Sequence, residues 1–131
     1  MIKVKLKTNE CVMLSMLFLL KSVCIFAQIE ADSFVGKWIT KDKSVMEIKK
    51  RGSYYELFQI SAISEKEKKD NGKQFSKDIA KSSSREFRGI LLDPSSKKEF
   101  NGTWIVSEDG KFLKMKVKWG FINFSETWIK H

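Results

Sequence analysis

The sequence predicts an all-β fold, an antiparallel up-and-down barrel of seven to eight strands. Three observations predict it. Apolar residues alternate with polar ones at period two in several short runs, as half-buried strands require. Clusters of turn residues separate those runs, and the 131 residues contain only one Pro. No long stretch shows helical periodicity. An open meander of such strands would leave two unpaired edges, and closure into a barrel removes them. A barrel is therefore favoured over a sandwich, and the absence of a Cys…Trp…Cys pattern argues against an immunoglobulin-type sandwich.

The first run is Phe34 to Thr40. The second, Ser44 to Lys50, places Met46 and Ile48 on one face. Arg51-Gly52-Ser53 turns the chain into Tyr54 to Ile63, which is rich in β-branched and aromatic residues. The alternation then fails. Residues 64–84 are charged and close on three serines, with Phe75, Ile79 and Ala80 as their apolar residues. This segment reads as a long charged loop or short surface helix, and loops of that length in compact domains are often functional. Strands resume at Glu86 to Leu92. Asp93-Pro94-Ser95-Ser96 is a turn, with Pro setting φ at its second position. Phe100 to Val106 follows, and Ser107-Glu108-Asp109-Gly110 carries the Asp-Gly pair of a hairpin. Lys111 to Trp119 alternates most cleanly. Leu113, Met115, Val117 and Trp119 share one face, and Lys114, Lys116 and Lys118 share the other. Gly120 permits a bend, and Phe121 to Lys130 closes the chain.

Residues 1–27 have the composition of a secretory signal peptide. Lys3, Lys5 and Lys7 precede an apolar run from Cys11 to Leu20, and Ala27 provides a small residue for cleavage. The run falls short of the roughly 20 residues that a membrane-spanning helix needs. An uncleaved N-terminal anchor is the alternative. A lipoprotein site at Cys24 fits less well, because Lys21 and Val23 occupy positions that call for aliphatic and small residues. Export to the periplasm or to the medium is expected, with residues 28–131 as the working domain. Both cysteines, Cys11 and Cys24, lie in the leader, so the domain holds itself together by burial without disulfides. The leader takes four Lys and one Glu from the chain's 25 basic and 16 acidic side chains, which leaves the domain a net charge of +6. Such a charge favours solubility and attraction to anionic surfaces.

Three local matches point to a family. Gly36-Lys37-Trp38 resembles the Gly-x-Trp start of lipocalin-like (calycin) barrels. Gly89 to Pro94 (GILLDP), followed by Lys97 and Phe100, resembles the Gly-x-Ile-Tyr-Asp-Pro-x-x-Gly-Lys-x-Tyr segment of the bacterial domain-of-unknown-function family 2147. Leu113 to Lys116 and Ser125 to Trp128 resemble that family's last hairpin. The similarity covers residues 34–60 and 87–130. It implies a lipocalin-like barrel and export, and no activity. In that resemblance Gly36 and Trp38 close one end of the barrel. Two departures stand out. Leu92 and Ser96 replace the family's Tyr and Gly, and residues 61–86 lack the Trp and Pro of the family's longer middle section. Either a further strand survives near Gln74 to Ala80, or the barrel has a gap there.

Candidate binding residues are aromatic or soft side chains at alternate strand positions. Phe58, Phe87, Trp104, Met115, Trp119 and Phe124 would line a cavity for one small hydrophobic ligand, or simply fill the core. Phe121 and Ile122 cannot both point inward. The Lys114–Lys116–Lys118 stripe is either a solvated outer face or a dock for an anionic envelope surface. No aromatic residues interleave with those lysines, which argues against a single-stranded nucleic-acid platform. Catalysis finds little support. The single histidine is the last residue, His131, and no Cys or His cluster exists to hold a metal. An enzyme is not expected, nor a cofactor or bound metal, and the domain is expected to be a monomer.

Overall fold

The computed structural model describes residues 33–131. The expected leader, its cleavage after Ala27 and the Cys24 alternative lie outside the described residues. Eight antiparallel strands close into one barrel, each paired with its sequence neighbour and the last with the first. They are β1 (Gly36–Ile39), β2 (Val45–Arg51), β3 (Tyr54–Ser61), β4 (Ser76–Lys81), β5 (Glu86–Leu92), β6 (Glu99–Val106), β7 (Phe112–Trp119) and β8 (Ile122–Lys130). A single helical turn, α1 (Glu65–Lys68), interrupts the β3–β4 connection.

The alternation read from the sequence places the core. Met46 and Ile48 on β2, Tyr55 and Leu57 on β3, and Leu113, Met115 and Val117 on β7 are all buried in one interior. Lys114, Lys116 and Lys118 face out. An eight-stranded barrel is just wide enough for its inward side chains to fill it, or to leave room for one small ligand.

The 64–84 segment is where sequence and structure part. It is not one long loop: Ser76–Lys81 forms β4, so of the two expectations for this segment the further strand near Gln74 to Ala80 is the one found, and the barrel has no gap. Three arrangements make a strand of so polar a run. Ile79 alone carries the inward apolar anchor, fully buried. Asp78 adopts φ of 55° at an irregularity between Lys77 and Ala80, which lets β4 shift register against β5. Gly89 on β5 has no Cβ, and one built there would lie 2.6 Å from the Ile79 Cα, so the two strands approach as they do only through that glycine. Against β3, β4 pairs at only Tyr54–Ala80 and Tyr55–Ile79. One side-chain and one further backbone bond extend that seam: the buried Ser76 hydroxyl accepts the Leu57 N–H at 2.8 Å, and the Phe75 N–H donates to the Leu57 carbonyl at 2.7 Å.

The up-and-down order gathers the turns at two ends. The connections 40–44, 62–75, 93–98 and 120–121 lie at one end, opposite the β2–β3, β4–β5 and β6–β7 turns and the N-terminal entry.

Candidate functional site

The entry end is shut by aromatic side chains. Phe34, just before β1, stacks on Phe87 with centroids 3.9 Å apart, and Tyr55 meets both rings edge-on at 5.2 and 5.0 Å. Trp38 is fully buried and its indole N–H donates to the Phe34 carbonyl at 3.0 Å. Lys130 from β8 completes the plug. Its ammonium donates to the Ser33 and Val35 carbonyls at 3.1 and 2.7 Å and stands 4.5 Å from the Trp38 ring centroid. Burial pushes the Lys130 pKa down, since desolvation disfavours the charged form. Gly36 adopts φ of 129°, and a Cβ there would lie 2.9 Å from the Lys130 Nζ. The Gly-x-Trp pair therefore makes room for a lysine that no sequence signal had singled out.

The opposite end is open. A cavity of about 290 Å³ lies there, floored by Met46, Leu57, Leu91, Met115 and Trp128. Phase along the strands accounts for this floor, because each residue occupies an inward position one or two steps above the plug. Thr40, Asp42, Ser44, Gln59, Glu67, Asp70, Asp93 and Glu126 supply a polar rim. Most of that rim is already committed. Buried Gln59 donates its amide to the Glu67 carbonyl at 2.8 Å and to the Asn71 side chain at 3.1 Å, so it ties the α1 connection to β3. The Ser95 hydroxyl donates to Asp70 at 3.1 Å and joins that connection to the β5–β6 turn. Glu126 accepts the Lys41 backbone N–H at 2.8 Å. The Ser96 hydroxyl and the Ser95 N–H, at 2.8 and 3.1 Å, hold the Asp93 carboxyl below its usual pKa. These carboxylates organise loops. One cavity-lining residue stays unsatisfied: among the described residues, the buried Trp128 indole N–H has no acceptor.

The six residues picked from the sequence are not brought together. Met115 lines the cavity. Phe87 and Trp104 are fully buried, Phe87 in the plug and Trp104 beneath Gly102, so both fill core where the sequence offered them as cavity walls. Phe58 is on the outer face, between buried Leu57 and Gln59, with the Lys49 ammonium 5.4 Å from its ring; its expected place inside is corrected. Trp119 and Phe124 have the inward phase but are 61% and 53% exposed. Phe124 lies where β8 outruns β1, which it meets only through Ile129 and Lys130, and Trp119 lies at the rim with its ring edge-on to Phe100 of β6 at 6.1 Å. Neither Phe121 nor Ile122 is inside. Sequence reading missed Leu57, Leu91 and Gln59 as mouth residues, because phase gives the face and not the height along the barrel.

No family model matches the sequence, and no curated protein matches it. Among solved structures the chain is similar to protein HP1028 from Helicobacter pylori, which is described as belonging to the lipocalin family. The identity is 18%, the TM-score 0.61, and the match covers 74% of this chain and 82% of that one. At that identity the likeness concerns architecture: the chain has a lipocalin-like eight-stranded β-barrel.

Proposed function

We propose that this chain is a non-enzymatic binding protein that holds one small, largely apolar molecule in the open mouth of its barrel. The observation that carries the reading is the 290 Å³ cavity over Met46, Leu57, Met115 and Trp128, opposite an end shut by stacked rings. Ligand sites combine apolar walls with a few orienting polar groups and begin near about 300 Å³, so a small ligand is the fit. Two methionines suit such a floor, because their flexible thioethers adapt to irregular shapes.

The protein is further read as exported, with residues 1–27 removed, and as a divergent relative of family 2147. The basic, apolar leader supports the first, and the Gly89–Pro94 segment with the last hairpin supports the second.

Titration with the neutral fluorescent probe N-phenyl-1-naphthylamine tests the ligand reading. Saturable one-to-one binding is expected, and Met115→Phe, which narrows the mouth, should weaken it while thermal unfolding stays cooperative. Absence of saturation, or binding indifferent to that substitution, would overturn the reading.

A further inference from the structure

The tip of the β7–β8 hairpin has no role in the mouth cavity. Trp119 pairs with Ile122 across a two-residue turn, Gly120-Phe121. Gly120 takes φ of 60°, as hairpin turns with Gly at the first central position require. Around this turn Trp119, Phe121, Ile122 and Phe124 are exposed, Phe121 completely. Four large apolar side chains together at a projecting tip are unusual for a surface meant only for water.

Directly below lies a face of the opposite character. A hollow of about 620 Å³ against β5–β8 is lined by Arg88, Lys116, Lys118, Thr103, Asn123 and Ser125, and by Phe124 from the tip. Among the described residues Lys114, Lys116 and Lys118 form no ion pair, and the only carboxylate on the outward positions of β6–β8 is Glu99, which is bound to Lys77 at 3.3 Å. The three other connections at the same end, 40–44, 62–75 and 93–98, carry eight lysines against five carboxylates. Unbalanced cations beside an apolar, aromatic tip match one kind of partner closely. Lipid headgroups satisfy the cations, and the headgroup–acyl boundary accepts Trp and Phe.

We propose that the β7–β8 hairpin docks the protein on anionic lipid bilayers, with Trp119, Phe121 and Ile122 entering the interface and Lys116 and Lys118 meeting the headgroups. The barrel mouth, which shares that end, then faces the bilayer. This docking does not depend on the barrel holding a ligand.

Tryptophan fluorescence tests it on the chain as its host produces it. Trp38, Trp104 and Trp128 are buried, so Trp119 alone is open to a new environment. Vesicles containing phosphatidylglycerol should shift its emission to the blue, and brominated lipid should quench it. Vesicles of phosphatidylcholine alone should do far less. The response should fade as salt rises and the Debye length falls from about 10 Å at 0.1 M to about 3 Å at 1 M. Phe121→Ser with Ile122→Ser should weaken vesicle binding about tenfold or more. Lys116→Gln with Lys118→Gln should remove the preference for anionic lipid. N-phenyl-1-naphthylamine binding by both variants separates failure here from failure of the ligand reading. The proposal is overturned if Trp119 is unquenched on vesicles the protein binds, if vesicles do not bind, or if the tip substitutions alter only self-association, which would assign the tip to a second copy.

Discussion

At the scale of single residues, the fold depends on a few groups whose chemistry is specific to their place. Lys130 is one: its ammonium replaces water with two carbonyls and an indole face, and it ties the chain's last strand to the segment before its first. Asp93 is another, and it yields a pH prediction. Hydrogen bonds from Ser96 and Ser95 favour its charged form in the folded state only, so its folded pKa lies below 3.8, the value it has when unfolded. Between those two values the unfolded chain binds more protons. The contribution to stability is therefore complete above pH 3.8 and is lost as pH falls through the folded pKa. Carboxyl NMR should give Asp93 a midpoint below 3.8, and Ser96→Ala should move it upward. A wild-type midpoint at or above 3.8 contradicts the account.

Elements differ in how far the sequence declares them. Seven strands are legible because their apolar residues alternate and Gly, Pro, Asp or Ser punctuates them. The 113–117 run shows this best, with Leu113, Met115 and Val117 inside and the lysines between them outside. The fourth strand is not legible in its own alternation, and only the family resemblance offered it, as one of two alternatives. Its residues, SKDIAK, hold one strong apolar anchor, and its place depends on partners distant in sequence: the Leu57 N–H for the Ser76 hydroxyl and the bare Gly89 for Ile79. Such complementarity is a property of pairs that no local pattern records. Barrel closure through β4 makes a prediction. Ile79→Ala should cost about 2–5 kcal/mol, as deletion of a buried aliphatic chain does. Lys77→Ala, exposed on the same strand, should stay within about 0.5 kcal/mol. Urea unfolding measures both, and equal, small effects would mean that the segment is the surface loop its composition suggests.

Strand length decides how the whole molecule is divided. The sequence correctly signals which side of β7 and β8 turns inward, yet it offers Trp119 and Phe124 as cavity walls. Phe124 is exposed because β1 ends at Ile39 and leaves β8 without a neighbour at its height, and Trp119 is exposed at the rim, where only the Phe100 ring of β6 covers it, edge-on at 6.1 Å. The same mismatch produces the three zones of the molecule. Rings and Lys130 fill the closed end, an apolar hollow occupies the mouth, and an aromatic tip rises beside it. The candidate site was legible only in part, through Met115, because the others in its floor are defined by height above the plug. Binding in that mouth has a built-in reporter. Of the chain's five methionines, only Met46 and Met115 lie within the described residues, and both floor the cavity. The most direct test is the NMR spectrum of protein labelled at the methionine methyl carbons, recorded while N-phenyl-1-naphthylamine is added. Both methyl signals should move together and saturate at one equivalent. Probe that binds while both signals stay fixed would place it elsewhere and contradict a mouth-binding barrel.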